Sequence, residues 1–357
     1  MEGLRKGGFG SHLASLAAAL LASVGAAFLL LYAFSSSFGE ALGLFFLGPF
    51  QNAYYFGNML GAASGLALAG LAAQFAFSAR TFNLGGEGQL YLGAIAATAA
   101  CLALPEESGL LGKAIGLAAG SAAGALLGAL SGFLRRRLGV DELLSSFLLS
   151  SALVYAGDFL VSGPLQDPAS NFQTSPAVPE GLRFARLLPP SSLSTAALLA
   201  LAALAAAWFI LGRTRFGFEL RLSGKNAEFA RYCGIDAGRY AAASLAISGA
   251  LNGLAGAALI LGTYNKAMKG FSAGLGWTGI AVALVAGGSP LALLPAALFF
   301  AYLDAGAKAV MIGADVTSEI VGVIQAIVFF LVTARALDSL VARRAAARAG
   351  RAAGGRG

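Results

Sequence analysis

Apolar runs of about 20 residues recur along this 357-residue chain, separated by short stretches of Gly, Pro and Arg. A helix of that length rises roughly 30 Å, the thickness of a bilayer's hydrocarbon core. Within that core every backbone amide and carbonyl needs a partner inside the protein, which a helix supplies to itself. Composition agrees: 58% of residues are hydrophobic and 11% are charged, with a mean hydropathy of +0.76. A soluble domain carries about a quarter charged residues; a chain this poor in charge cannot cover a water-facing surface. The expected fold is an all-α polytopic membrane protein.

The runs and their breaks predict about ten membrane segments, at 13–34, 57–78, 86–104, 111–134, 142–162, 193–212, 239–262, 277–288, 290–306 and 317–335. The first follows Arg5 and Lys6. It is longer than the apolar part of a signal peptide and no small-x-small cleavage site closes it, so it reads as a retained helix. The eighth and ninth, divided at Gly287-Gly288-Ser289-Pro290, read as two short helices or a re-entrant hairpin. Residues 1–335 then form a single transmembrane domain. The Ala/Arg/Gly-rich end, 336–357, reads as a disordered basic tail near anionic lipid.

The net charge of +7 follows the positive-inside pattern rather than a nucleic-acid-binding face. Basic residues cluster at Arg5-Lys6, Arg80, Arg135-Arg136-Arg137, the loop 213–239 and the tail, placing both termini in the cytoplasm of a multi-pass inner-membrane protein. The outside loop 163–192, with six prolines, reads as an ordered cap or contact surface. Two cysteines, Cys101 and Cys233, fall on opposite sides of the membrane, and the single His12 stands in the N-terminal tail. Neither a disulfide framework nor a metal site is expected.

Small residues at every fourth position, Gly120-Gly124-Gly128 and Gly249-Gly253, let helix backbones approach closely in lipid. A fainter pattern joins two stretches. Between Gly65 and Ala97 a helix, a polar break and a second Gly-rich helix follow one another, and 252–286 repeats that order. Starting from opposite sides of the membrane, the two have the form of inverted repeats with broken helices near the centre.

Two segments carry candidate chemistry. In 80–94, Asn83, Glu87 and Gln89 stand between apolar helices, flanked by glycines that permit an unwound backbone. Polar groups at membrane depth mark a bundle interior or solute path, although a plain capped turn accounts for the same residues. Phe82, Tyr91, Phe271 and Trp277 offer ring faces to a planar polar solute. In 221–235, Gly224 and Asn226 read as a helix start, Glu228 as a first-turn acid, Arg231 as a last-turn base and Gly234 as a stop. The result is a two-turn amphipathic helix outside the membrane that presents Phe229 and Tyr232 to another protein.

"FNLGGEGQLYLGA", "SGKNAEFARYCGI", "SGALNGLAGA" and "GWTGIAVALVAGGSPL", in that order, resemble permeases of ABC importers for simple sugars and nucleosides, in the wider branched-chain amino acid permease group. The resemblance covers roughly 57–335. It implies a translocation path lined at Phe82, Asn83, Glu87, Gln89, Tyr91 and Trp277. It also implies a coupling segment for an ATPase subunit at Gly224, Lys225, Asn226, Glu228, Phe229, Arg231, Tyr232 and Gly234. Gly279 to Ala283 matches the second-half counterpart of the broken-helix motif. In "GVDELLSSFLLSS", Leu148, Leu149 and Ser150 replace the family's usual Met-Leu-Asn.

The implied partners are a cytoplasmic ATPase, an outer solute-binding protein and a second permease forming a heterodimer with this larger subunit. ATP and Mg belong to the ATPase; this chain holds no cofactor and no catalytic residue. The implied solute is a purine nucleoside, with a simple sugar or riboflavin as alternatives. An ion-coupled carrier is the rival of another class and would use Glu87, Glu142, Asp158, Asp304, Asp315 or Glu319, but it has no use for the coupling segment. A membrane enzyme lacks the residue clusters it needs.

Overall fold

The computed structural model describes residues 37–314 and a few isolated positions on either side. Apart from those isolated positions, the expected segments 13–34 and 317–335 lie outside the described residues, as do His12, Asp315, Glu319 and the tail 336–357. The described elements are helices α1 (Phe38–Leu47), α2 (Ala53–Ser78), α3 (Gly86–Leu102), α4 (Gly109–Leu138), α5 (Glu142–Ser162) and α6 (Ala196–Arg213). They continue with α7 (Arg215–Lys225), α8 (Ala227–Tyr232), α9 (Ala237–Leu259), α10 (Leu275–Val285) and α11 (Pro290–Gly313). A π-helical turn, Ile260–Tyr264, extends α9. Among the described residues six helices are long and apolar enough to cross a membrane: α2, α4, α5, α6, α9 with its π turn, and α11.

Local chemistry sets the helix ends. Asn52 caps α2 by accepting from Tyr55 N at 3.0 Å, and Asp141 caps α5 through Leu143 N at 2.7 Å. Asp236 caps α9 through Arg239 N at 3.0 Å. At the other end of α4, Gly139 takes φ 69° while Arg135, Arg136 and Arg137 occupy the last turn. There positive charge meets the negative end of the helix dipole.

Asn52–Ala301 form the larger of two compact units. Its central pillars are α2 and α9, which bury most of their apolar length, whereas α4, α5 and α6 leave most of theirs exposed. The core of this unit gathers Leu68, Leu90, Tyr91, Ile95, Leu259, Ile260 and Leu261. Glycine makes the closest seam. A Cβ on Gly253 would lie 2.1 Å from the Gly120 carbonyl oxygen, and one on Gly128 would lie 2.1 Å from that of Leu245. The pairing of 120 with 253 and 128 with 245 makes α4 and α9 antiparallel.

The same register reasoning orders the breaks. Gly65 meets Leu259 and Thr81 meets Ser244, so α2 and α9 are antiparallel. Gly65 also meets Leu275, and a Cβ on Gly279 would touch Ala69, so α10 runs parallel to α2. Gln89 meets Asn252 and Asn83 meets Ser248, so α3 runs parallel to α9. Hence α3 and α10 are antiparallel, and each starts level with the middle of a long pillar.

The proline-rich segment is ordered by backbone pairing. Phe184 N donates to Leu261 O at 2.7 Å, Val178 N to Asn265 O at 2.8 Å and Ser175 N to Ala267 O at 2.9 Å. It therefore covers the π-turn end of α9, with Val178 and Leu182 wholly buried. Cys101 is buried at the end of α3, and Cys233 is exposed just before α9 begins. The two thiols lie at opposite ends of α9.

The expected pair of short helices is corrected in one member. α10 has 11 residues, but α11 has 24. The apolar run stops at Asp304 and Lys308, and these pair at 2.6 Å one turn apart, so the helix continues through them. The turn between the two helices uses Gly287 at φ 61° and Gly288 at φ 88°. The smaller unit holds α1 and the end of α11, where Tyr302 Oη donates to Phe46 O at 3.0 Å and Gly306 lies against the Phe45 carbonyl.

Candidate functional site

The first break, Ala79–Gly85, turns back along α9. Ser244, Ser248 and Asn252 recur at i, i+4 and i+8 on one face of α9, and each has a partner in or just after the break. Thr81 Oγ1 and Ser244 Oγ lie 2.9 Å apart. Asn83 Nδ2 donates to Ser248 Oγ at 2.8 Å and to Gln89 Oε1 at 2.7 Å. Asn252 Nδ2 donates to Gln89 Oε1 at 3.0 Å. On the other flank α5 supplies two hydroxyls. Ser146 Oγ accepts from Leu84 N at 3.1 Å and Ser150 Oγ from Gly88 N at 2.8 Å. Amides freed by unwinding are thereby satisfied without water.

The second break, 265–274, begins with Asn265 at φ 59°, a left-handed conformation that Asn tolerates. It ends at Gly274, φ 78°, which starts α10 without a side-chain cap. The cap comes from α3. Glu87 Oε1 accepts from Ser272 Oγ at 2.5 Å and Gly274 N at 3.0 Å, and Glu87 Oε2 accepts from Gly276 N at 2.8 Å. One turn on, Tyr91 Oη donates to Asp158 and accepts from Gly270 N at 3.0 Å, while its ring stacks on Phe271 at 5.1 Å.

The residues expected along the path therefore separate by environment. Asn83, Gln89 and Tyr91 are buried, with their polar atoms bonded inside the protein. Glu87 is half-buried between the two breaks. Phe82 and Trp277 are exposed at 46% and 41%, against Phe77 and Phe147 respectively. The Asn83 and Gln89 side chains are brought together, Glu87 is bonded separately to the second break, and Phe82 and Trp277 stand outside both networks. Sequence reasoning missed Ser146, Ser150, Ser244, Ser248, Asn252 and Ser272. The signal was present in the four-residue spacing of polar residues on α9. Of the carboxylates weighed for ion coupling, Glu142 pairs with Arg135 at 2.8 Å, Asp158 binds Tyr91 and Asp304 pairs with Lys308.

The other candidate segment runs from the end of α7 through α8 to just before α9. Asn226 caps α8 by accepting from Phe229 N at 2.9 Å. Gly234 stops it at φ 76°, with Ile235 N returning to Ala230 O at 2.9 Å. Gly224 is not part of that start. It lies in the last turn of α7, where a Cβ would stand 2.6 Å from Ser78 O and 2.7 Å from the Ala79 carbonyl carbon. Glycine is needed there for close approach to the end of α2. Of α8, only Ala230 is buried; Lys225, Glu228, Phe229, Arg231 and Tyr232 face outward. At the start of α7, hydrogen bonds from the Tyr240 hydroxyl and then the Arg215 guanidinium hold the Glu219 carboxyl below its usual range. These contacts tie α7 to the base of α9.

Comparison with known proteins gives a consistent result. Residues 55–333 match the family described as the branched-chain amino acid transport system permease component. The chain is 32% identical over 302 residues to the probable riboflavin import permease protein of Treponema pallidum, covering 83% of this chain and 78% of that one. It is 31% identical over 326 residues to the guanosine ABC transporter permease protein of Bacillus subtilis, covering 90% and 93%. To the glucose ABC transporter permease protein of Haloferax volcanii it is 31% identical over 313 residues, covering 82% and 80%.

Proposed function

We propose a solute for this chain, which belongs to the branched-chain amino acid transport system permease family and is the membrane-spanning subunit of an ATP-binding-cassette importer: a purine nucleoside. Such a subunit is an integral membrane protein that works with an ATPase and a solute-binding protein. The observation that carries the nucleoside reading is the match to the guanosine permease, which extends over nine tenths of both chains. The relatives named for riboflavin and glucose make those solutes the alternatives, and all three are uncharged polar molecules.

In this reading the protein lies in the inner membrane with both termini in the cytoplasm and about ten spanning helices. A second, non-identical permease completes the path, and ATP and Mg are held by the ATPase. The α8 segment, with Phe229 and Tyr232 outward on a base fixed by Ala230, docks into that ATPase. Gly224 passes the motion to the end of α2 and so to the first break. The two break-and-half-helix units rock about their junction, opening the path alternately to either side. Phe82 and Trp277 are the exposed rings available to a purine base.

The test is ATP-dependent uptake of radiolabelled guanosine in vesicles holding the complete complex, with and without Ala at Asn226 and Arg231. Uptake that needs ATP and collapses in the variants supports the reading. Intact complexes that ignore guanosine but carry glucose or riboflavin move the assignment to those solutes. Uptake driven by an ion gradient without the ATPase overturns it.

A further inference from the structure

Glu87 stands where two helix N-termini meet. A Cβ on Gly276 would lie 2.3 Å from Glu87 N and 2.6 Å from the Gly86 carbonyl carbon, so the first turns of α3 and α10 touch. Each N-terminus carries about +0.5 of an elementary charge from its aligned peptide dipoles. Paired half-helix ends of this kind are a general device for holding an anionic group of a transported solute. Here the chain supplies the anion itself. Both Glu87 oxygens accept: Ser272 Oγ and Gly274 N on one, Gly276 N on the other. Every partner is a donor, the pattern of an acceptor-only carboxylate. One full negative charge against two half charges leaves the junction close to neutral.

We propose that Glu87 is a specificity-determining residue that permanently fills the anion position between the half-helices, so that the importer carries uncharged solutes and rejects carboxylate- or phosphate-bearing ones. This rests on the reading that the two breaks border the path. Glu87 acts through α10, as a positioning residue, and does not touch the solute. The assignment separates this chain from a carrier of amino acids, whose carboxylate would need the place that Glu87 occupies.

The experiment compares wild type, Glu87→Asp and Glu87→Gln in proteoliposomes holding the complete complex with its cognate binding protein, with assembly checked by gel filtration. Guanosine uptake is measured with and without acetate, an anion small enough to enter the position that a further variant, Glu87→Ala, vacates. Glu87→Gln places an amide donor opposite the Gly276 N–H. It is expected to slow uptake about tenfold, and acetate is expected to raise the rate of Glu87→Ala severalfold. Wild type and Glu87→Asp should stay indifferent to acetate, with Glu87→Asp faster than Glu87→Gln. An isosteric Gln that transports like wild type, or outperforms Asp, overturns the proposal because shape rather than charge then matters. Loss of assembly in both Glu87→Asp and Glu87→Gln also overturns it, leaving Glu87 a fold-holding residue. Wild-type uptake of leucine overturns it whatever the neutral solute. Uptake of glucose or riboflavin in place of guanosine sinks only the nucleoside reading and supports this one.

Discussion

Asn83 and Gln89 hold each other through a reciprocal amide pair: Asn83 Nδ2 donates to Gln89 Oε1 at 2.7 Å, and Gln89 Nε2 donates to Asn83 Oδ1 at 3.1 Å. The pair also engages Gly85 N, Ser248 and Asn252, so it pins the start of α3 to α9. Asn83→Ala leaves several of these buried groups without a partner. The expected cost is about 3 kcal/mol, read as a lowered unfolding midpoint in detergent micelles. A midpoint equal to wild type means that water or a rearranged neighbour satisfies the network. Transport unchanged in both Asn83→Ala and Glu87→Gln removes the first break from the path.

The glycine seam gives a second outcome. At Gly256 a Cβ would lie 2.0 Å from Leu90 O, and at Gly253 2.1 Å from Gly120 O; both obstacles are backbone. Gly253→Ala or Gly256→Ala therefore forces helices apart, at about 3 kcal/mol. Gly212, in α6, has nothing within 4 Å of its missing Cβ. Gly212→Ala should gain up to about 1 kcal/mol from helix propensity. Thermal unfolding of the three variants side by side separates crowding from any general intolerance of alanine.

How much of this was legible beforehand depends on the range of the interaction. Helix existence followed from apolar runs, and the ends at Asn226 and Gly234 from local cap chemistry, because both are written within a few neighbouring residues. The ninth segment was expected at 290–306, but Asp304 and Lys308 pair one turn apart on one helix face and the helix runs on to Gly313. The polar residues at 83–89 stood out, but their partners did not. Ser146 and Ser150 come from α5, and Ser244, Ser248 and Asn252 from α9, more than 50 residues away in the chain. Tyr91 looked available for stacking, yet its ring is spent on Phe271 and its hydroxyl on Asp158 and Gly270. Which face of a helix meets another is a tertiary fact that no single segment encodes.

The exposed rings of α8 predict a docking energy. Phe229 is 52% exposed and Tyr232 is 84% exposed, while both caps of the helix are intact without them. Phe229→Ala and Tyr232→Ala should leave the unfolding midpoint unchanged and weaken binding of the ATPase subunit by about 2 kcal/mol each, roughly thirtyfold. Gly224→Val should do the reverse: the ATPase still docks, but transport per ATP falls, because the new side chain pushes α7 off Ser78 and Ala79. Equal losses of docking in all three variants would remove the distinction between contact and lever.

The natural thiols offer a reporter of orientation. Cys233 is exposed at the end of α8, and Cys101 is buried where Gly116 leaves room for its sulfur. A membrane-impermeant maleimide should therefore label one site per chain, Cys233, in inside-out vesicles and none in intact cells. Adding the ATPase subunit should protect it, since Cys233 directly follows Tyr232. In a chain with both natural cysteines replaced by Ser, Phe172→Cys supplies the opposite control. Phe172 is 73% exposed on the segment that covers the far end of α9, so that variant should label from outside. Labelling of Cys233 in intact cells would invert the orientation and with it the assignment of α8 to the ATPase. Labelling of both positions from one side would contradict the placement of Cys233 and Phe172 at opposite ends of a membrane-crossing α9.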